Sequence, residues 1–195
     1  IDTSSRLYGM GANNVYQLGL GDTLNRSSPV QIGTGFSWQN ITAGLNISAA
    51  IRGDNTLWVW GNNANGALGI SGVTANRSSP VQLIGFGNYS WSQISARNDY
   101  MVGITSTSKT LFWGNNTNGQ LGNGTTTNSN VPVTVNGISS ANMVCCGSTH
   151  VIFLLTNGNV VGYGSDSNGQ LGQGGTTVIN TSLVTLTFPT DTLSN

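Results

Sequence analysis

An all-β repeat array is the fold class this sequence predicts, on three observations. A ten-residue phrase recurs four times, apolar residues fall in stretches of about four to six, and none of those stretches carries a helical period. The phrase is clearest in Trp113-Gly114-Asn115-Asn116-Thr117-Asn118-Gly119-Gln120-Leu121-Gly122. It returns as Trp60-Gly61 through Leu68-Gly69, as Tyr163-Gly164 through Leu171-Gly172, and in worn form as Met10-Gly11 through Leu18-Gly19. The leading glycines Gly11, Gly61, Gly114 and Gly164 stand 50, 53 and 50 residues apart. One domain over 1–195 holds them, as repeats at 7–56, 57–109 and 110–159 and a partial one at 160–195.

Each repeat divides into four short strands. The first has Leu7–Met10, Ser28–Ile32, Trp38–Ala43 and Ser48–Ile51. The second has Leu57–Trp60, Pro80–Leu83, Trp91–Ile94 and Met101–Ile104, and the third Leu111–Trp113, Val131–Val135, Met143–Cys146 and Val151–Leu154. The fourth opens with Val160–Tyr163 and offers Leu183–Leu186, for about fourteen strands in all. They are rich in β-branched and aromatic residues and bounded by Gly, Asn, Asp or Ser. Asp54-Asn55 and Asn157-Gly158 suit tight hairpins with two residues at positive φ. Pro29, Pro80 and Pro132 at strand starts mark outer or edge strands, where a missing N–H costs nothing; Leu183 takes that place in the fourth repeat.

The phrase itself has a mechanical reading. Its aromatic (Trp60, Trp113, Tyr163, with Met10 in the first copy) fills the space between neighbouring sheets, and the following Gly61, Gly114 or Gly164 lets backbones approach. The Asn-x-Asn-Gly segment turns the chain, because Asn and Gly tolerate the left-handed region and Asn side chains satisfy turn amides. Leu68, Leu121 and Leu171 then re-enter the interior, each followed by a glycine (Gly69, Gly122, Gly172). Burying one leucine stabilises by about 1.5–3 kcal/mol. The five tryptophans, Trp38, Trp58, Trp60, Trp91 and Trp113, are all ascribed to this repeat packing.

Trp-Gly-x-Asn-x-x-Gly-Gln-Leu-Gly, followed by Ser-Pro-Val and a Gly-x-x-His segment, resembles the repeat of the regulator of chromosome condensation family. The resemblance runs from Leu7 to about Val184. It implies a β-propeller of four-stranded blades, usually seven to the ring, of which this chain would supply about three and a half. His150 stands at the family's histidine position, taken by Ile47 and Tyr100 in earlier repeats, which implies a packing or hydrogen-bonding core residue. The family includes a guanine-nucleotide exchange factor that docks on nucleosomes, ubiquitin-ligase modules, a plant ultraviolet-B photoreceptor and a secreted β-lactamase inhibitor. The fold alone does not choose among them.

Composition narrows the field. Charged residues make up 6% of the chain, against about 25% in an ordinary soluble domain. There is no glutamate, Lys109 is the only lysine, and net charge is zero, so nucleic-acid binding by counterion release has little to work with. No run of 18 apolar residues exists to insert into a membrane. One histidine and scattered aspartates form no catalytic, metal or cofactor set, and the reading is non-enzymatic. Asp166-Ser167-Asn168-Gly169 faintly resembles a calcium loop, but the other copies read Asn-x-Asn-Gly and turn geometry explains it. The glycine-rich turns lack the Gly-Lys-Ser/Thr of a phosphate loop. Cys145 and Cys146, adjacent on a strand, point to opposite faces and are read as small half-buried side chains.

The expected function is a structural or protein-interaction module that binds protein partners or further copies of itself. A surface rich in Asn, Ser and Thr suggests extracellular, cell-surface or virion-surface display; the alternative is an intracellular binding or regulatory propeller. Asn25, Asn76 and Asn123, in loops after Leu-Gly, are possible glycosylation sites. The opening at Ile1, with no signal-like segment, reads as a processed product or the ordered part of a longer polypeptide. Half a ring would expose sheet edges, so either further sequence supplies the remaining blades or another copy does. Two copies would give about seven blades with one blade shared, and head-to-tail joining would give a filament; association is the favoured expectation.

Overall fold

The computed structural model describes residues 1–85, 87, 89–135, 137–138, 140–174 and 179–186. Fourteen strands follow in chain order: β1 (Tyr8–Gly11), β2 (Arg26–Gln31), β3 (Trp38–Ala43), β4 (Ile47–Arg52), β5 (Leu57–Gly61), β6 (Arg77–Gln82), β7 (Trp91–Arg97), β8 (Tyr100–Thr105), β9 (Thr110–Gly114), β10 (Ser129–Thr134), β11 (Ala141–Cys146), β12 (His150–Leu155), β13 (Val160–Ser165) and β14 (Ile179–Thr185). Helix among the described residues amounts to one three-residue 3-10 turn, Ala64–Gly66. The strands form three antiparallel four-stranded sheets, β3–β6, β7–β10 and β11–β14, each in chain order, and one pair, β1–β2.

Sheet and sequence repeat are therefore out of phase by two strands. Each of the first three repeats places its first two strands in one sheet and its last two in the next, and so fastens two neighbouring sheets together. The strands β3, β7 and β11 lie side by side on the inner edge. Thr42 Oγ1 accepts from the Ala96 N–H (2.9 Å), and Ser95 Oγ accepts from the Cys146 N–H (3.1 Å). Pro29, Pro80 and Pro132 lie in the outer strands β2, β6 and β10, as edge placement requires. Each is the fourth residue of its strand rather than the first, and sits where the pairing register breaks. The bulge lifts the proline off the ladder, so mid-strand placement removes no paired N–H.

The hairpins at Asp54-Asn55 and Asn157-Gly158 need one positive φ each, not two. Asn55 (φ 63°) and Gly158 (φ 86°) alone take that region. The Asn55 N–H bonds the Arg52 carbonyl (2.8 Å) while the Arg52 N–H bonds the Thr56 carbonyl (3.0 Å), a three-residue loop with one left-handed position. Asp54 and Asn157 instead use their side chains, each accepting at Oδ1 from the N–H two residues on (3.0 Å in both).

Apolar layers fill the spaces between sheets. Ile47, Ile51, Val59 and Leu68 meet Trp91, Met101 and Trp113 between the second and third sheets. Phe112, Leu121, Phe153 and Tyr163 join in the next layer. The phrase aromatics cross these gaps onto the preceding Leu-Gly: a Cβ on Gly69 would come within 2.8 Å of the Trp113 ring, and one on Gly122 within 2.6 Å of the Tyr163 ring. Gly61, Gly114 and Gly164 have φ near +100°, and a Cβ there would strike the carbonyl oxygens of Asn46, Asp99 and Thr149.

Met10 departs from the expectation for its position. It is 64% exposed, whereas Trp60, Trp113 and Tyr163 are 0–1% exposed. The reason lies in the β1–β2 pair, which corresponds to the outer two strands of the other sheets. Among the described residues no further sheet lies against Met10, and no inner pair covers Ile41 on β3, which is 41% exposed against 7% for its counterpart Ile94.

Candidate protein-interaction surfaces

The strands' two ends present different chemistry, and the phrase builds one of them. Its second asparagine is buried in each copy: Asn13, Asn63 and Asn116, replaced by Asp166 in the fourth. Oδ1 accepts from the leucine N–H five residues on, at 2.9, 3.0, 2.9 and 2.7 Å in the four copies. Nδ2 donates to the loop that follows Leu-Gly, reaching the carbonyls of Asp22, Val73 and Thr125 (2.7–3.0 Å). Its own N–H is held by Oδ1 of Asn25, Asn76 or Asn128 (2.8–3.0 Å). The residue thus ties turn, plug and loop together, a role that turn preference alone did not reveal. A recurring acceptor twelve or thirteen residues downstream was the signal available.

Leu68, Leu121 and Leu171 are fully buried beneath these turns, and Gly172 shares the positive φ of Gly69 and Gly122. Asn25, Asn76 and Asn123 are exposed loop residues, but their Oδ1 atoms hold the turns just described, Asn123 by accepting from Asn116 Nδ2 (3.1 Å). The recurrence of the first two is thereby explained without a glycan. Asp166 stands in the buried asparagine's place, and the described residues contain no group of three or more potential metal ligands. Cys145 is exposed and Cys146 half-buried, both as free thiols. His150 is half-buried, and burial lowers its pKa against the pull of Asp166. Its counterpart Tyr100 reaches across to the next sheet, its hydroxyl meeting the carbonyls of Gly147 (2.8 Å) and His150 (2.5 Å). At this end Asp99 borders a cavity of about 240 Å³ with Leu45, Asn98 and Asn118, and burial raises its pKa.

The opposite end, formed by the β4–β5 hairpin and the loops entering β3 and β7, is aromatic and cationic. The Arg52 guanidinium lies 3.9 Å from the Phe36 ring centroid and 4.8 Å from that of Trp58. Phe36 is 40% exposed and packs at 6.0 Å on Trp58 and 6.2 Å on Trp38, which continues to Trp60. One sheet over, Lys109 lies 4.9 Å from the Tyr89 ring and donates from Nζ to its hydroxyl (2.6 Å). Between them opens a cleft of about 260 Å³ walled by Asp54, Thr56, Tyr89 and Trp91, with Ile84 at its rim.

Trp58 packs on the layer of Leu7, Trp38 and Trp60, as repeat packing leads one to expect, and stays half-buried. Where the first repeats have Arg52 and Trp58, the later ones have Thr105 with Leu111 and Leu155 with Val161, and their sheets form equally well. Arg52 and Trp58 thus stand at one place in the array, whereas Phe36 has an aromatic counterpart in Tyr89, each edge-on to the tryptophan two residues later. Aligning the repeats for residues that break the pattern would have found Arg52 and Trp58.

Stacked four-stranded sheets with inner strands side by side and prolines outermost define a propeller-type repeat protein. Three segments, 4–51, 54–103 and 110–154, match the regulator of chromosome condensation (RCC1) repeat, and the chain belongs to that family. Among curated relatives, the dog X-linked retinitis pigmentosa GTPase regulator is 42% identical over 81 residues, covering 40% of this chain and 8% of the relative. The Arabidopsis thaliana ultraviolet-B receptor UVR8 is 30% identical over 142 residues, 71% of this chain and 32% of the relative. Human WBSCR16 superposes with a TM-score of 0.86 at 22% identity, over 97% of this chain and 50% of that one. Prp20p from Saccharomyces cerevisiae does so at 0.81 and 20%, over 98% and 48%. These two establish the fold, and the chain spans about half of each.

Proposed function

We propose that this chain is a non-enzymatic, protein-binding part of an intracellular regulatory propeller, and that it engages its partner through the Phe36–Arg52–Trp58 end. The observation that carries this reading is that cluster: Phe36 is exposed, Arg52 and Trp58 are half-buried beside it, and the Arg52–Trp58 pair is not repeated in the later sheets. Aromatic and arginine side chains on a rigid surface are the residues that dominate protein-binding energetics. Extracellular or virion display, expected from composition, gains no support, and the intracellular alternative fits better. Matched relatives are named as a GTPase regulator and as ubiquitin-like-protein ligases, and Prp20p is described for its binding to Gsp1p and histones. Glycans and self-association likewise gain no support from these likenesses.

The test uses the protein in its full length and the proteins it retains from its own cells. Trp58→Leu combined with Phe36→Ala should remove the retained partner while circular dichroism stays unchanged. A partner retained undiminished by the double variant, and cross-linked instead to the Asn-rich end, would move the site.

A further inference from the structure

The Arg52 guanidinium lies against two adjacent rings, Phe36 and Trp58, and no hydrogen bond or ion pair of that group is found among the described residues, although its charge is felt by Asp54. Arg6 and Arg26, in contrast, are each spent on a carboxylate, Asp2 and Asp22, at 2.7 and 2.6 Å. A planar fork of five donors with its rings fixed offers bidentate geometry at little entropic cost. Lys109, one sheet away, is likewise engaged by an aromatic rather than by an acid. Asp54 is the acidic group nearest in the hairpin, but its carboxylate is bonded to the Thr56 N–H and hydroxyl (3.0 and 2.6 Å). The adjoining cleft is sized for one side chain, and Ile84, 70% exposed, gives its rim apolar character.

We infer that Arg52, positioned against Phe36 and Trp58, anchors a carboxylate of an acidic segment in a partner protein, while the cleft walled by Tyr89 and rimmed by Ile84 takes a neighbouring apolar side chain. Lys109 supplies the second positive charge for an acidic residue further along that segment. A polyanion such as nucleic acid is a poorer match, because affinity for it grows with the number of phosphates neutralised and this end carries few cations. The inference rests on the reading of this end as the interaction surface.

A random twelve-residue peptide display library, selected on the purified chain, tests it. Peptides with Asp or Glu beside an apolar residue should be enriched at least five-fold, and selection on Arg52→Gln should lose them. By fluorescence anisotropy the best peptide should bind at least ten-fold more tightly than its version with every acid changed to the amide. Arg52→Lys, which keeps the charge and loses the fork, should weaken it at least three-fold, and Arg77→Gln should leave it unchanged. No enriched peptide, the same peptides on Arg52→Gln, equal binding of acid and amide versions, or equal binding of a single-stranded oligonucleotide would each overturn the inference. Should the full-length protein's partner still depend on Trp58 and Phe36 but not on Arg52, the carboxylate anchor falls and the interaction surface stands.

Discussion

Asn116 shows what a single residue carries in this fold. Replacing it with alanine orphans the Leu121 N–H and the loop carbonyls it serves, and a buried group left unsatisfied costs about 1–3 kcal/mol. Asn116→Ala should lower the urea midpoint accordingly. Asn116→Asp keeps the bond to the Leu121 N–H, as Asp166 does for Leu171, but sets a buried carboxylate oxygen against the Thr125 and Thr127 carbonyls, and should cost at least as much. Leu121→Ala, beneath the same turn, should cost about 2–5 kcal/mol through the cavity it leaves. The leucines and glycines were legible because repetition alone singles them out. The reach of Asn116 was not, because an asparagine in a glycine-rich turn is already accounted for by local geometry. His150 adds a pH dependence. Burial lowers its folded pKa below the usual 6.5, so the neutral form is favoured in the folded chain. Stability should be full above pH 6.5 and fall as pH drops towards the folded pKa; in His150→Gln that part of the decline should vanish from a pH series of unfolding midpoints.

At the scale of the element, the hairpins set how closely strands are joined. Asn55 occupies the left-handed region at φ 63°, which an ordinary L residue reaches at a cost of about 1–2 kcal/mol. Asn55→Val should therefore destabilise by about that much, and Asn55→Gly should be nearly neutral, in thermal unfolding. Strand positions were legible from apolar stretches and turn residues. Grouping them into sheets was not, because a repeat can be cut anywhere along its period, and only pairing shows that β2 and β3 belong to different sheets. The prolines carried half of that information: they marked the outer strands correctly, but a proline tolerated at a bulge looks in sequence like one at a strand start.

The whole molecule is a half-length array whose two strand ends differ in kind. The Asn-rich end repeats with the fold, each copy using the same bonds. The aromatic end repeats only in part: Tyr89 with Lys109 parallels Phe36 with Arg52, while Trp58 gives way to Leu111 and Val161 in the later sheets. Part of the chain's abundant asparagine is consumed inside the turns that hold the loops. Hydrogen exchange of the chain with and without its bound protein partner, read by mass spectrometry, tests the central claim most directly. Protection should appear at residues 33–37, 52–58 and 84–91, the loops that carry Phe36, Arg52, Trp58 and the cleft. Protection confined to 62–67 and 115–120 at the other end would contradict it.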